Sequence, residues 1–183
     1  MRDGYQATTI AAIAEAADVA LRTVSLHFPT KADLLFPGDA VFDAFAERLH
    51  DRPTGETALD ALRGWLAAEL RERDRADTAD RDRDWERARA RRAIIDADPV
   101  LRQAERGHLE RFERLVTAEV ARDTGETPDD LLPQMTGAAA VAVLTMLERT
   151  RAARSQPMTS DQALALIDRV LTFLRGGIAA TRS

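Results

Sequence analysis

Residues 4–35 read GYQATTIAAIAEAADVALRTVSLHFPTKADLL, and this stretch decides the fold. Ile10, Ile13, Ala14 and Ala17 recur at helical spacing, so one apolar stripe runs down a first short helix. Leu21, Val24 and Phe28 draw a second stripe. Ala17-Asp18-Val19 joins the two, and Val19 is apolar enough to pack under both. Helices this short are marginal alone in water, so packing must fix their geometry. Two small helices crossing at a tight turn fit a helix-turn-helix, a motif whose second helix lies in the DNA major groove.

The same residues resemble the N-terminal DNA-binding domain of the TetR family of bacterial transcriptional regulators. That pattern runs roughly G-Y-x-A-T-T, then I-A-x-x-A-G-V-S, then T-x-Y-x-H-F-x-S-K-x-x-L. Gly4, Tyr5, Ala7, Thr8, Thr9, Ile13, Ala14, Ala17, Val19, Thr23, His27, Phe28, Lys31, Leu34 and Leu35 stand in register with it. The resemblance is strong over residues 4–35 and architectural over the remainder. It implies an all-α protein: a DNA-binding head over residues 1–36 and a helical ligand-binding and dimerisation domain over 37–183. It also implies that Leu21 to Phe28 is the recognition helix. Arg22 then suits a base edge, since arginine pairs with guanine O6 and N7. Leu21 belongs to the same contact face, and Thr23 and Ser25 reach bases or phosphates. Thr9, His27 and Lys31 position the DNA backbone.

The sequence departs from the pattern in four places. Asp18 stands where the turn usually has Gly, at a position that tends to need left-handed backbone, which Asp tolerates better than most residues. Ala20 replaces the usual Ser, losing a side-chain N-cap worth about 0.5–2 kcal/mol. Ser25 replaces a Tyr that in the family commonly reaches a phosphate. The family also has a helix before Gly4, whereas this sequence opens at Met1-Arg2-Asp3. The expectation is a head without its first helix, and hence a weaker grip on DNA.

Charge adds to that expectation. The net charge is −5, and residues 1–35 carry Arg2, Arg22 and Lys31 against Asp3, Glu15, Asp18 and Asp33. Local charge governs phosphate contact, and this balance is poor for a DNA reader. Of the 26 basic residues 25 are Arg, and Lys31 is the only lysine. Thr30 and Asp33 have the spacing of a capping box at a helix start.

The 183 residues suffice for a real core in one or two domains. Ala, Leu and Arg dominate, which favours helix nearly throughout. There is no cysteine, so neither disulfide framework nor thiolate chemistry is available. No secretory signal pattern opens the chain. The longest nearly apolar stretch, Gly137 to Leu147, is short of the roughly 20 residues a bilayer span needs, which points to the cytoplasm and no membrane.

A helix is expected from Lys31 to about His50, interrupted by Pro37-Gly38 either as a hinge or as a loop before a restart at Asp39. Asp51 to Gly55 reads as a loop and domain-level seam, and 57–73 as an amphipathic helix. Residues 74–84 alternate Arg and Asp and read as a solvated linker or frayed helix ends. Further helices are expected from Trp85 to Ala97, from Asp98-Pro99 to Gly125, from Asp129 or Asp130 to about Arg154, and from Ser160 to Gly177. Small residues at 137–140 would let another backbone approach the penultimate helix. The last helix has an apolar face, Leu164, Ile167, Leu171, Leu174 and Ile178, widened by Leu166, Val170 and Phe173. So broad a face suits two partners, one inside the subunit and one outside, and the family dimerises through these two helices.

The body resembles acyl-CoA-responsive members of the family, through Trp85 with Arg87, Arg89, Arg91 and Arg92, then Asp98-Pro99-Val100-Leu101-Arg102 and Glu110-Arg111-Phe112-Glu113. This implies an effector pocket lined by Phe45, Leu62, Trp65, Leu66, Ile94, Phe112, Leu115, Met135 and Met146, with Arg89 or Arg92 meeting an anionic head. The alternative for any one of them is plain core or solvated surface. Catalysis finds no support: His27, His50 and His108 lie far apart, no metal-ligand spacing or nucleophile elbow appears, and no cofactor motif is visible. The expectation is a ligand-responsive repressor, a homodimer on a palindromic double-stranded operator, with an acyl-CoA as leading effector. The rival is a dimeric small-molecule binding protein that no longer binds DNA.

Overall fold

A computed structural model describes residues 4–36, 39–75 and 78–181, and among them all regular structure is helical. The head contains α1 (Gly4–Ala7), α2 (Ile10–Ala16), α3 (Leu21–His27) and a 3-10 turn at Asp33–Leu35. The body contains α4 (Asp39–His50), α5 (Ala58–Arg75), α6 (Thr78–Ala97), α7 (Pro99–Thr124), α8 (Leu131–Ala153) and α9 (Ser160–Thr181).

Local chemistry sets most of the boundaries. Thr9 Oγ1 accepts from the Ala12 N–H and caps α2. Asp98 caps α7 through the Val100 N–H at 2.8 Å, with Pro99 in the first turn. Gly125, at φ 76°, ends it in the left-handed conformation. Four Thr-x-x-Asp/Gln boxes recur, at Thr30/Asp33, Thr57/Asp60, Thr127/Asp130 and Thr159/Gln162.

Several boundaries differ from the sequence reading. The box at Thr30 opens only the 3-10 turn, and the long helix starts again at Asp39; Pro37 and Gly38 lie outside the described residues. The Arg/Asp run at 74–84 is helical on both sides of residues 76–77, which are not described. Pairs one turn apart, Arg83 with Asp80 and Arg87 with Asp84, support the start of α6 where apolar residues are scarce. Ser160 does not cap α9: its hydroxyl donates to the Leu70 carbonyl at 2.7 Å, tying α9 to α5. Helix α9 also runs past Gly176-Gly177 to Thr181.

The core lies among α4, α5, α7, α8 and α9, around Phe45, Leu62, Val116, Ile167 and Leu171. Phe45 stacks on Phe112 at 4.5 Å and tilts against Trp65 at 4.9 Å. Gly137 of α8 lies so near α7 that a Cβ there would stand 2.0 Å from Thr117 Oγ1. The small residue serves this contact within the subunit. The Asp51–Gly55 loop is clamped rather than loose. Arg52, its side chain 8% exposed, donates to Glu119, to Asp123 at 2.5 Å and to the Leu49 carbonyl.

A second, smaller cluster joins head to body. Phe36, Ile95 and Leu101 are buried, with Tyr5, Leu35 and Ile94 packed on them. Gln6 of α1 donates to Asp98, and Arg91 of α6 donates to the Leu35 carbonyl at 3.3 Å.

Candidate functional site

The head presents α3 outward. Asp18 takes φ 53°, the left-handed turn expected of it, and Ala20 begins α3 without a side-chain cap. Val24 is buried against the rest of the head, whereas Arg22, Thr23, Ser25, Leu26 and His27 are exposed and Leu21 is 48% exposed. Val19, expected to pack under both helices, is 41% exposed, because Ala14 and Val24 make the buried part of that contact. Thr9 is exposed but its hydroxyl is already an acceptor at the α2 cap.

Lys31 is committed elsewhere than the sequence implied. Its ammonium donates to the carbonyls of Tyr5, Gln6 and Thr8, the last at 2.8 Å, and stands 4.1 Å from the centre of the Tyr5 ring. An ammonium has three N–H bonds, and here they close the C-terminal end of α1, where the helix dipole favours a cation. Burial, with Asp98 and then Asp33 nearby, pushes the Tyr5 phenol up. Arg22 is therefore the one exposed Lys or Arg among the described head residues.

The body holds an open-sided cavity of about 520 Å³ between α4, α5, α6, α7 and α8. Its walls are mainly apolar: Phe42 and Phe45 from α4, Trp65 and Leu66 from α5, Leu109 and Phe112 from α7, Leu144 and Leu147 from α8. Phe36, from the end of the head, closes one side and stacks on His108 at 4.7 Å. A polar edge is formed by Glu69, Arg73, Asp84, Arg87, Arg91, Glu105, Glu148 and Arg151.

Phe45, Trp65, Leu66 and Phe112 are brought together here as the sequence suggested. The other residues named for the pocket lie elsewhere. Leu62 is 1% exposed within the core and Leu115 packs beside it, while Ile94 belongs to the head–body cluster. Met135 and Met146 are 61% and 60% exposed on the outer face of α8, because the pocket uses that helix's opposite side. Arg89 lies over Trp85 at 4.8 Å, on the exposed side of α6. Arg92 is neutralised by Glu105 and Asp96, both at 2.6 Å. Burial opposes its charge, but those hydrogen bonds outweigh burial and hold the guanidinium above its usual value.

Sequence reasoning missed Phe36, Phe42 and His108, which face the cavity from three elements, and the cations Arg73 and Arg151; Arg91 belongs to the Arg-rich run it named, where Arg89 and Arg92 were singled out instead. The Arg151 side chain is 16% exposed, and burial pushes its guanidinium below the usual value, with Arg73 and then Arg91 adding repulsion against the pull of Glu148. Among the described residues no group of three His, Asp or Glu converges as a metal site.

A third surface is apolar and uncovered. Leu131, Met135 and Met146 of α8 and Leu166, Val170 and Phe173 of α9 are exposed, Phe173 by 78%. Leu171, expected at a subunit contact, is 1% exposed inside the subunit, so the outward face belongs to Leu166, Val170 and Phe173. Among the described residues α8 is the one helix long and apolar enough, by length and composition alone, to cross a bilayer.

Residues 1–36 match the family model for bacterial regulatory proteins of the tetR family, and residues 56–179 match the model for the MftR C-terminal domain. The chain is 41% identical over 71 residues to the HTH-type transcriptional regulator TcmR of Streptomyces glaucescens. That similarity covers 38% of this chain and 31% of the relative, so it spans about a third of each.

Proposed function

The chain belongs to the tetR family of bacterial regulatory proteins, and from that premise we propose that it is a ligand-responsive transcriptional repressor acting in the cytoplasm as a homodimer. Each α3 enters a major groove of a palindromic operator, with half-sites one helical turn, about 34–36 Å, apart. The outward apolar faces of α8 and α9 pair the two copies. An apolar effector with an anionic head enters the body cavity, with a fatty acyl-CoA as the leading candidate. No catalytic step is assigned to the cavity.

One observation supports effector control above the others: Phe36, the last described residue of the head, is part of the cavity wall. A molecule filling the cavity presses on the residue that anchors the head, so occupancy and head position are coupled. The outer face of α8 suits a second copy better than lipid, since Gln134 and Arg149 are exposed along the helix and Gly137 seats its other side on α7.

The test is a gel-shift titration on the DNA flanking the gene, with and without acyl-CoAs of increasing chain length. Each buried methylene contributes about 0.8 kcal/mol, so release should sharpen with length until the cavity is full. A retarded complex that no acyl-CoA dissolves removes the effector reading. The rival reading, a dimeric binding protein without DNA affinity, draws on the scarcity of free cations in the head. Absence of a retarded complex together with tight acyl-CoA binding would select it.

A further inference from the structure

The polar edge of the cavity carries Arg73, Arg87, Arg91 and Arg151 with the acids Glu69, Asp84, Glu105 and Glu148, and its ion pairs are unevenly shared. Glu148 is shared, accepting from Arg91 and standing 3.8 Å from Arg151. Asp84 is taken by Arg87 at 3.0 Å, and Glu105, also on the wall, by Arg92 at 2.6 and 3.1 Å. Arg73, exposed near the end of α5, repels Arg151 across this edge. Three guanidiniums from α5, α6 and α8 thus share this edge with Glu148 and Glu69, and Arg73 and Arg91 both repel Arg151. Arg91 has a second obligation, because its other nitrogen donates to the Leu35 carbonyl in the turn that ends the head.

We propose that Arg73, Arg91 and Arg151 form the anion-binding end of the cavity, and that an anion bound there draws Arg91 away from the Leu35 carbonyl. The inference rests on the reading of the cavity as the effector site. The ligand class is an amphiphile whose apolar chain lies against Trp65 and Phe112 and whose carboxylate or phosphate reaches the three arginines. Charge-assisted, bidentate contacts favour arginine for such groups. The Leu35 carbonyl is a neutral acceptor at 3.3 Å, and an anion competes with it for the same donor. The site is therefore also the release point of the head: only a ligand with an anionic end reaches Arg91.

The experiment compares decanoate, 1-decanol and decanoyl-CoA by calorimetry on the full chain, in a chloride buffer free of phosphate. Decanoate is expected to bind about tenfold or more tightly than decanol, the effect of a charge-assisted hydrogen bond. R73Q, at an exposed position, and R151Q should each reduce that preference, lowering decanoate affinity by a larger factor than decanol affinity. The relative affinities of decanoate and decanoyl-CoA separate a free carboxylate from a phosphate-bearing head as the source of the anion. Equal wild-type affinity for decanoate and decanol overturns the anion site while the effector reading stands. A preference undiminished in both variants overturns the assignment to these residues. Failure of all three ligands to bind removes the effector reading itself. Amide exchange of the Asp33–Phe36 turn should rise with decanoate and not with decanol; identical exchange overturns the link through Arg91.

Discussion

Gly137 offers the sharpest test of the packing that shapes the body. In Gly137→Ala the new Cβ would stand 2.0 Å from Thr117 Oγ1, 3.1 Å from the Glu113 carbonyl and 3.2 Å from Thr117 Cβ. Comfortable carbon–oxygen contacts are about 3.3–3.6 Å, so the hydroxyl has to move by more than an ångström. Threonine in a helix has two usable χ1 wells, and turning relieves that contact. The Glu113 carbonyl and Thr117 Cβ cannot turn, so α7 and α8 must part by a few tenths of an ångström. Overpacking costs about 1–3 kcal/mol, and alanine returns up to about 1 kcal/mol of helix propensity. With that return in full the net loss is about 0–2 kcal/mol, and the gap to a glycine-to-alanine control that meets no contact is about 1–3 kcal/mol. Urea unfolding at fixed protein concentration reads it as a lower midpoint with an unchanged slope. Gly107→Ala is the matched control, since nothing lies within 4 Å of its Cβ position on the same α7. If the two variants are equally stable, the close approach of the helices is not what Gly137 serves.

Other consequences are as direct. Arg22→Ala should relax base preference at one position per half-site at about 1–3 kcal/mol, read by binding-site selection. Lys31→Ala should instead loosen the head, seen as faster amide exchange over residues 5–8, because its ammonium closes α1. Phe173→Glu should yield folded monomers in sedimentation, whereas Leu171→Glu should unfold the chain, since only Leu171 is enclosed by its own subunit. Arg52→Ala leaves Glu119 to Arg122 and Asp123 to the Ala58 N–H, so by the same urea assay it should cost less than the about 3–5 kcal/mol of a buried charge left wholly unpaired. Acid should unfold the protein as well. The Asp98, Asp130 and Asp168 carboxyls are held below the usual range, chiefly by the Val100 N–H, the Thr127 N–H and the Arg63 side chain respectively. Their stabilisation is complete above an ordinary Asp value of about 3.9 and is lost as pH falls through the lower folded values. Melting temperature should therefore drop only below about pH 4.

What the sequence made legible was largely local. Asp98-Pro99, Gly125, the left-handed Asp18 and the Thr-x-x-Asp box at Thr30 act over one turn, so their residues alone locate them. The ambiguous cases were those decided by distant partners. Ser160 has the look of a cap, yet Leu70 from another helix claims its hydroxyl. Met135 and Met146 carry the same pattern as pocket residues, and only the packing of α7 on α8 tells the inner face from the outer. Arg92 resembled a headgroup contact until Glu105 folded against it, while Arg73 and Arg151, at the far ends of their helices, gave no sign that they meet. Gly176-Gly177 lacked the polar stop that would have ended α9, and the helix passes through.

Because Lys31 is the sole lysine, amine-directed chemistry has a single side-chain address in this protein. That address is held by three backbone carbonyls at the seam between the first turn of the head and its last. Acylation would remove the charge and leave one N–H where three carbonyls are held. Its rate is consequently a gauge of how often the seam opens, and one labelled peptide in a mass spectrum would report, without any engineered probe, whether the head is closed in the free protein, on DNA, or with the cavity filled.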